Sequence, residues 1–121
     1  MTVELYDTTL RDGTQQEGIS LSVEDKLRVA RTIDALGVPY IEGGWPGANP
    51  KDTEFFKRAA AGELELANAT LVAFGMTRKP NRDAAGDENL AALLEASTPI
   101  VTLVGKSDIR HVTHAINTTG E

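Results

Sequence analysis

Apolar residues recur along this chain in two rhythms, one of period two and one of helical spacing, and the rhythm changes with each new segment. Val3 to Thr8 reads as a first strand, partly β-branched and aromatic, followed by a Gly-containing loop. Ser22 opens a helix, with Asp25 three positions on completing a capping-box pattern. Val23, Leu27, Ala30 and Ile33 give that helix one apolar face; Gly37 supplies its left-handed cap and Pro39 stops it. A second strand is expected from Tyr40 to Gly43. Asn49-Pro50 starts the next helix, with Asp52 and Glu54 in its first turn favouring the positive end of the helix dipole. Phe55, Phe56, Ala59 and Ala60 are expected to face the core, and Gly62 ends the run. Thr70 to Phe74 forms a third strand of the buried parallel type. After a polar loop from Thr77 to Gly86, Asp87 caps a helix whose buried stripe is Leu90, Leu93 and Leu94. Thr98-Pro99 breaks it, Ile100 to Val104 is the fourth strand, and a last helix begins near Asp108, carries Val112 and Ile116, and frays over Asn117 to Gly120.

Strand starts near Val3, Tyr40, Thr70 and Ile100 are spaced by roughly thirty residues, one strand-helix unit each. Four such units in a row predict an α/β domain with a parallel sheet. Polar residues gather after the strands, as Arg11 and Asp12, Glu42, Thr77 and Arg78, and Lys106 and Ser107, the end that is catalytic in a (β/α)₈ barrel. A whole barrel takes about 250 residues, so the expectation is the N-terminal half of a TIM barrel, one truncated domain with no second. A four-stranded doubly wound sheet suits the same spacing. No G-x-G-x-x-G follows the first strand, which argues against a dinucleotide fold.

Composition narrows the function classes. The formal charge of −6 leaves no clustered basic face for nucleic acid or an anionic membrane, so neither is an expected partner. Without cysteine there is no disulfide, thiolate metal site or cysteine nucleophile. The first fifteen residues lack the pattern of a secretory or transit leader, and no apolar run approaches the ~20 residues of a membrane span. A soluble, cytoplasmic protein is expected.

The chemistry concentrates in Leu5 to Gln15. Adjacent Arg11 and Asp12 at a strand end can hold an anionic oxygen and a divalent cation side by side, as metal-assisted chemistry on a keto acid requires. Arg11-Asp12-Gly13 taken alone also reads as an ordinary turn, Glu42 as a solvated strand-end acid, and Gln15 as an exposed loop residue.

The run Leu5-Tyr6-Asp7-Thr8-Thr9-Leu10-Arg11-Asp12-Gly13-Thr14-Gln15 resembles the first strand of the acyl-CoA/keto-acid condensing enzymes. These are the isopropylmalate, homocitrate and citramalate synthases, with hydroxymethylglutaryl-CoA lyase as a relative. Tyr40 to Asp52, with Gly43-Gly44-Trp45-Pro46-Gly47 inside it, is similar to their second strand, nearest the citramalate synthase subgroup. The resemblance implies that Asp12 ligates a divalent metal (Mn²⁺, Mg²⁺ or Zn²⁺) and that Arg11 steadies the substrate's keto oxygen. It implies Glu42 as a catalytic residue orienting Arg11 or a metal-bound water, and Gln15 as a substrate contact. The implied substrates are a 2-keto acid, pyruvate foremost, and acetyl-CoA; the implied pathway is isoleucine biosynthesis and the full-length form a homodimer. Alternatives are an isopropylmalate or homocitrate synthase, a lyase, or a non-catalytic half-barrel that pairs with another half.

The family completes its metal site with a later His-x-His pair, absent here, and the group that removes a proton from acetyl-CoA is absent too. The isolated chain is therefore expected to be inactive. His111 and His114 share a helix face but are expected to be exposed rather than ligating. Lys106 is read as a solvated lysine, and Trp45 either as part of the substrate mouth or as packing on the second helix.

Overall fold

In the computed structural model, which describes residues 1–119, four parallel strands lie side by side in the order in which the chain makes them. They are β1 (Tyr6–Asp7), β2 (Tyr40–Gly44), β3 (Thr70–Met76) and β4 (Ile100–Val104). Between them run α1 (Val23–Ala35), α2 (Pro50–Arg58) and α3 (Glu88–Glu95), and a wide helical turn, His111–Ala115, follows β4. A doubly wound sheet reverses its strand order at a switch point, whereas this order never reverses. All three helices also cover the same sheet face. Together these features give the first half of a (β/α)₈ barrel, with the uncovered face as its interior.

The helix starts follow their caps. Ser22 Oγ accepts from the Asp25 amide at 3.1 Å, while the Ser22 amide donates to Asp25 Oδ2 at 3.0 Å. The Asn49 side chain accepts from the Asp52 amide at 2.9 Å, with Pro50 at the first helical position. Asp87 accepts at Oδ1 from Asn89 and Leu90, and at Oδ2 from the Lys79 amide of the preceding loop; the latter bond is the main reason its carboxyl is held below the ordinary range. Asp34, near the end of α1, accepts from the amides of Ala67, Asn68 and Ala69 and so fixes the entry to β3.

Leu10, Leu27, Ala30, Ile33, Ile41, Phe55, Phe56, Ala73 and Leu93 form the core between helices and sheet. Gly43 lies flat under α2: a Cβ there would meet Phe55 Cε1 at 2.6 Å. Its neighbour Gly44 has φ +144 and would drive a Cβ into the Asp52 carboxyl at 2.6 Å. The glycine pair is therefore required by how closely α2 approaches β2.

Several expectations need correction. The first strand is two residues long rather than running from Val3 to Thr8, because it is an edge with only β2 to pair, and Val3 and Leu5 lie exposed. Leu94 is 80% exposed, since Leu90 and Leu93 already occupy the inward side of α3 and the next residue turns about 100° away. Ala60 is exposed because the helix widens over Ala59–Glu63 before Gly62 turns left-handed at φ 90. Glu54 lies past the first turn of α2, and Asp52 is buried rather than a surface dipole partner. β2 and β3 run past Gly43 and Phe74, to Gly44 and Met76, with a register shift between Glu42 and Gly44. The terminal helical turn holds Val112 and Ile116 half-buried; Gly120, in the expected fraying end, lies outside the described residues. Among the described residues no helix is long and apolar enough to cross a membrane.

Candidate active site

On the interior face, a pair of facing side chains from β1 and β2 builds the site. Just after β1 the chain curls so that the Thr8 carbonyl accepts from the amides of Arg11, Asp12 and Gly13 at 3.2, 2.9 and 3.1 Å. Asp7 reinforces the curl by accepting from the Thr9 amide and hydroxyl. The curl buries Leu10 in the core and turns Arg11 back over the sheet. There the Arg11 Nε donates to Glu42 Oε1 in a close ion pair, and its Cζ lies 4.0 Å from the Phe74 ring centroid. The guanidinium is thus fixed on one edge by a carboxylate and on one face by an aromatic ring.

Glu42 lies inside β2 rather than beyond its end, and it is 2% exposed. A buried carboxylate is tolerated when each oxygen has a donor. Oε1 has Arg11; Oε2 accepts from the Tyr6 hydroxyl at 2.6 Å. That hydroxyl lies 2.7 Å from Thr102 Oγ1 on β4, so the network spans the sheet from its first strand to its last. Burial, followed by the bond to Glu42, pushes the Tyr6 hydroxyl pKa up to about 12.

Asp12 stands apart from this lattice. Its side chain is 63% exposed and its Oδ1 lies 3.6 Å from Arg11 Nη1. An exposed carboxylate beside a fixed guanidinium suits a hard divalent cation. Among the described residues, however, no group of three or more His, Cys, Asp or Glu could hold a metal. His111 and His114 are exposed on the terminal turn.

An open cleft of about 450 Å³ lies between the curl after β1 and the start of α2, lined by Arg11, Gln15, Lys26, Trp45 and Asp52 among others. Gln15 is exposed at its rim. At its base Lys26 and Asp52 form a buried ion pair, and Asp52 Oδ2 also accepts from the Trp45 amide at 2.9 Å. Trp45 packs edge-on against Phe74 of β3, 5.6 Å between centroids.

Arg11, Asp12 and Glu42 are therefore brought together, with Gln15 on the rim. Sequence reasoning missed Tyr6, Thr102 and Phe74, and the Lys26–Asp52 pair. Lys26 carried a signal: it precedes Ala30 and Ile33 at four- and seven-residue spacing, on the buried side of α1.

A family model described as HMGL-like matches residues 2–120. The chain belongs to the HMGL-like family. Among similar proteins, the (R)-citramalate synthase of Aquifex aeolicus is 53% identical over 119 residues, covering 98% of this chain and 22% of that protein. The (R)-citramalate synthase of Streptomyces coelicolor is 56% identical over 115 residues, 95% of this chain and 21% of that protein. A 2-isopropylmalate synthase of Pyrococcus furiosus is 34% identical over 119 residues, 98% of this chain and 22% of its own length. The chain thus spans about a fifth of the length of the curated relatives it matches.

Proposed function

We propose that this chain is the first half of the catalytic barrel of a citramalate synthase-type acyltransferase, which condenses acetyl-CoA with pyruvate on the way to isoleucine. In that reaction the acetyl methyl carbon gives up a proton and bonds to the keto carbon of pyruvate, whose C=O pair moves onto oxygen. Water then cleaves the thioester, releasing coenzyme A and a hydroxy dicarboxylate. The observation that carries the reading is the Arg11 guanidinium, held by Glu42 and Phe74 with its Nη edge beside Asp12.

Arg11 receives the developing alkoxide; fixed donors stabilise that charge without reorganising. Glu42 keeps the guanidinium in place, while Gln15 contacts the keto acid from the rim. Asp12 would contribute one oxygen ligand to a divalent cation (Mn²⁺, Mg²⁺ or Zn²⁺), which when bound polarises the oxygens of the keto acid. The remaining metal donors and the base for the acetyl methyl group come, in this reading, from the second half of the barrel. The assembled enzyme is a cytoplasmic homodimer, and the 121-residue chain alone gives no turnover. The (R)-citramalate synthases at 53% and 56% identity support pyruvate over the longer keto acid of the 2-isopropylmalate synthase at 34%.

Replacing the matched segment of the Aquifex aeolicus relative with residues 1–119 of this chain tests the proposal. The chimaera is expected to form citramalate from pyruvate and acetyl-CoA, and Arg11→Gln to slow it by about 100-fold or more. A folded chimaera that is inactive, or that prefers the keto acid of isopropylmalate synthesis, overturns it.

A further inference from the structure

Lys26 and Asp52 are buried charges to which the proposed reaction gives no duty. Lys26 lies on α1 and is 3% exposed; Asp52 lies in the first turn of α2 and is 8% exposed. Asp34 and Asp87 are buried acids too, but they accept only from backbone amides of the loops they fix. Asp52 is instead set against a buried cation. An ion pair is a poor way to join two helices, because apolar side chains of similar volume hold them as well or better. Nor does α2 need Asp52 as its cap, since Asn49 already serves.

What the carboxylate does that an apolar side chain cannot do is accept hydrogen bonds. Its Oδ1 takes the Lys26 ammonium, and its Oδ2 accepts from the Trp45 amide at 2.9 Å. That amide is the first past the end of β2, beyond the last registered pair of Gly44 with Ala73. Asp52 thus takes over from the sheet where the chain leaves it, through the space that Gly44 leaves open. The Trp45 indole has no polar anchor of its own, because Nε1 is buried without a hydrogen-bond partner. Backbone and packing must place the ring. The Trp45 amide is held by Asp52, its carbonyl accepts from the Ala48 amide at 3.1 Å, and the indole packs edge-on against Phe74. Phe74 carries the Arg11 guanidinium 4.0 Å from its centroid.

We infer that Asp52, held by Lys26, is a positioning residue for Arg11, acting through Trp45 and Phe74. Resting on the acyltransferase reading, its duty is to set the tilt of the guanidinium. Glu42 fixes that group at Nε, and the Phe74 ring fixes its plane, which decides where the Nη edge beside Asp12 points. A misplacement of about 1 Å at such a donor costs up to roughly 100-fold in rate. Lys26 compensates the buried carboxylate and fixes its rotation, so that Oδ2 faces Trp45.

Two double variants separate positioning from packing. Lys26→Met/Asp52→Asn removes both charges but keeps an oxygen for the Trp45 amide. Lys26→Met/Asp52→Leu removes both charges and that oxygen at similar volume. Arg11 is read directly in ¹⁵N–¹H spectra of the 121-residue chain, where its Nε–H signal, assigned by its loss in Arg11→Lys, reports the bond to Glu42 and the Phe74 ring current. The Leu-containing variant is expected to shift that signal and the Trp45 amide, and the Asn-containing variant to return both close to their parent positions. In the chimaera, the Leu-containing variant is expected to lower kcat about tenfold relative to the Asn-containing one, at a pyruvate KM within about twofold. Should the Leu-containing variant fail to fold, Trp45→Leu carries the same test: it keeps the Asp52 bond, removes the ring, and is expected to shift the Arg11 signal. An Arg11 signal indifferent to these changes, or a kcat that falls equally in both double variants, overturns the inference. An inactive parent chimaera sinks the acyltransferase reading alone, because the spectra decide the positioning without turnover.

Discussion

The first two strand-helix units and the fourth strand carry similar apolar patterns but end in opposite situations. Around β1, β2, α1 and α2, Leu10, Leu27, Ile41, Phe55 and Phe56 are all buried. On the last strand, Val101 and Leu103 are 39% and 52% exposed, with Leu94 of α3 and Ile109 exposed nearby. An apolar pattern records that a face is meant to be covered; it does not record whether the covering element lies within these 119 residues. Chemistry follows the same division. The Arg11–Glu42 pair lies in the packed region with every donor and acceptor of Glu42 satisfied, whereas the exposed β4 side contributes only Thr102 to it.

The sharpest way to test that contrast is to remove the keystone of the packed side. Glu42→Ala leaves the Arg11 charge and the Tyr6 hydroxyl facing a small hole without their acceptor. Breaking a buried ion pair from one side costs about 3–5 kcal/mol. A loss of that size, read from the urea midpoint at constant slope, is expected, a large fraction of a small domain's ordinary stability. A change under ~1 kcal/mol would mean that the network is not what holds β1 to β2.

Tyr6→Phe gives a smaller and pH-dependent effect. At neutral pH it removes one hydrogen bond, about 0.5–1.5 kcal/mol. The folded-state hydroxyl has its pKa raised to about 12 from 10.0, so the folded protein keeps this proton after the unfolded chain releases it. Its contribution is complete below pH 10 and is lost as pH rises toward about 12. Stability of the parent chain should therefore fall across that window, and the Tyr6→Phe variant should lose that component of the fall. Parallel curves from denaturant titrations at pH 9, 10, 11 and 12 would remove Tyr6 from the network.

Much of the fold was legible because its signals are local. Ser22 with Asp25, Asn49 with Pro50, and Asp87 each cap a helix through atoms two or three residues away, and the caps stand where they were read. β4 has the expected bounds for the same reason: Pro99 immediately precedes it and Gly105 immediately follows. The site was half legible. Arg11 and Asp12 are neighbours in sequence, and Glu42 was reached through the family pattern. Tyr6, Phe74 and Thr102 come from three strands, and whether their side chains meet depends on register, which is set by the shift between Glu42 and Gly44 and leaves no mark in one-dimensional spacing. The Lys26–Asp52 pair was obscured for another reason: a charged residue on a helix is ordinarily assigned to solvent, and only a partner on a different helix overrides that.

The smallest expected effect comes from the uncovered side, where Leu94→Ser and Leu103→Thr are informative because they should do so little. Leu94 is 80% exposed and not a member of the core cluster, so its truncation on this chain should change stability by less than about 0.5 kcal/mol. Leu103 sits half-exposed in the strand, where β-branched threonine is well suited, so its replacement should be nearly neutral as well. If these faces are instead covered in the complete barrel, the same two changes in the chimaera should cost about 1–3 kcal/mol each, the loss of a buried leucine's apolar area. Equal, small costs in both settings would show that the β4 side is solvent-facing in the finished protein. A difference confined to the chimaera would show that the sequence pattern was already written for a covering element that the 119 described residues do not supply.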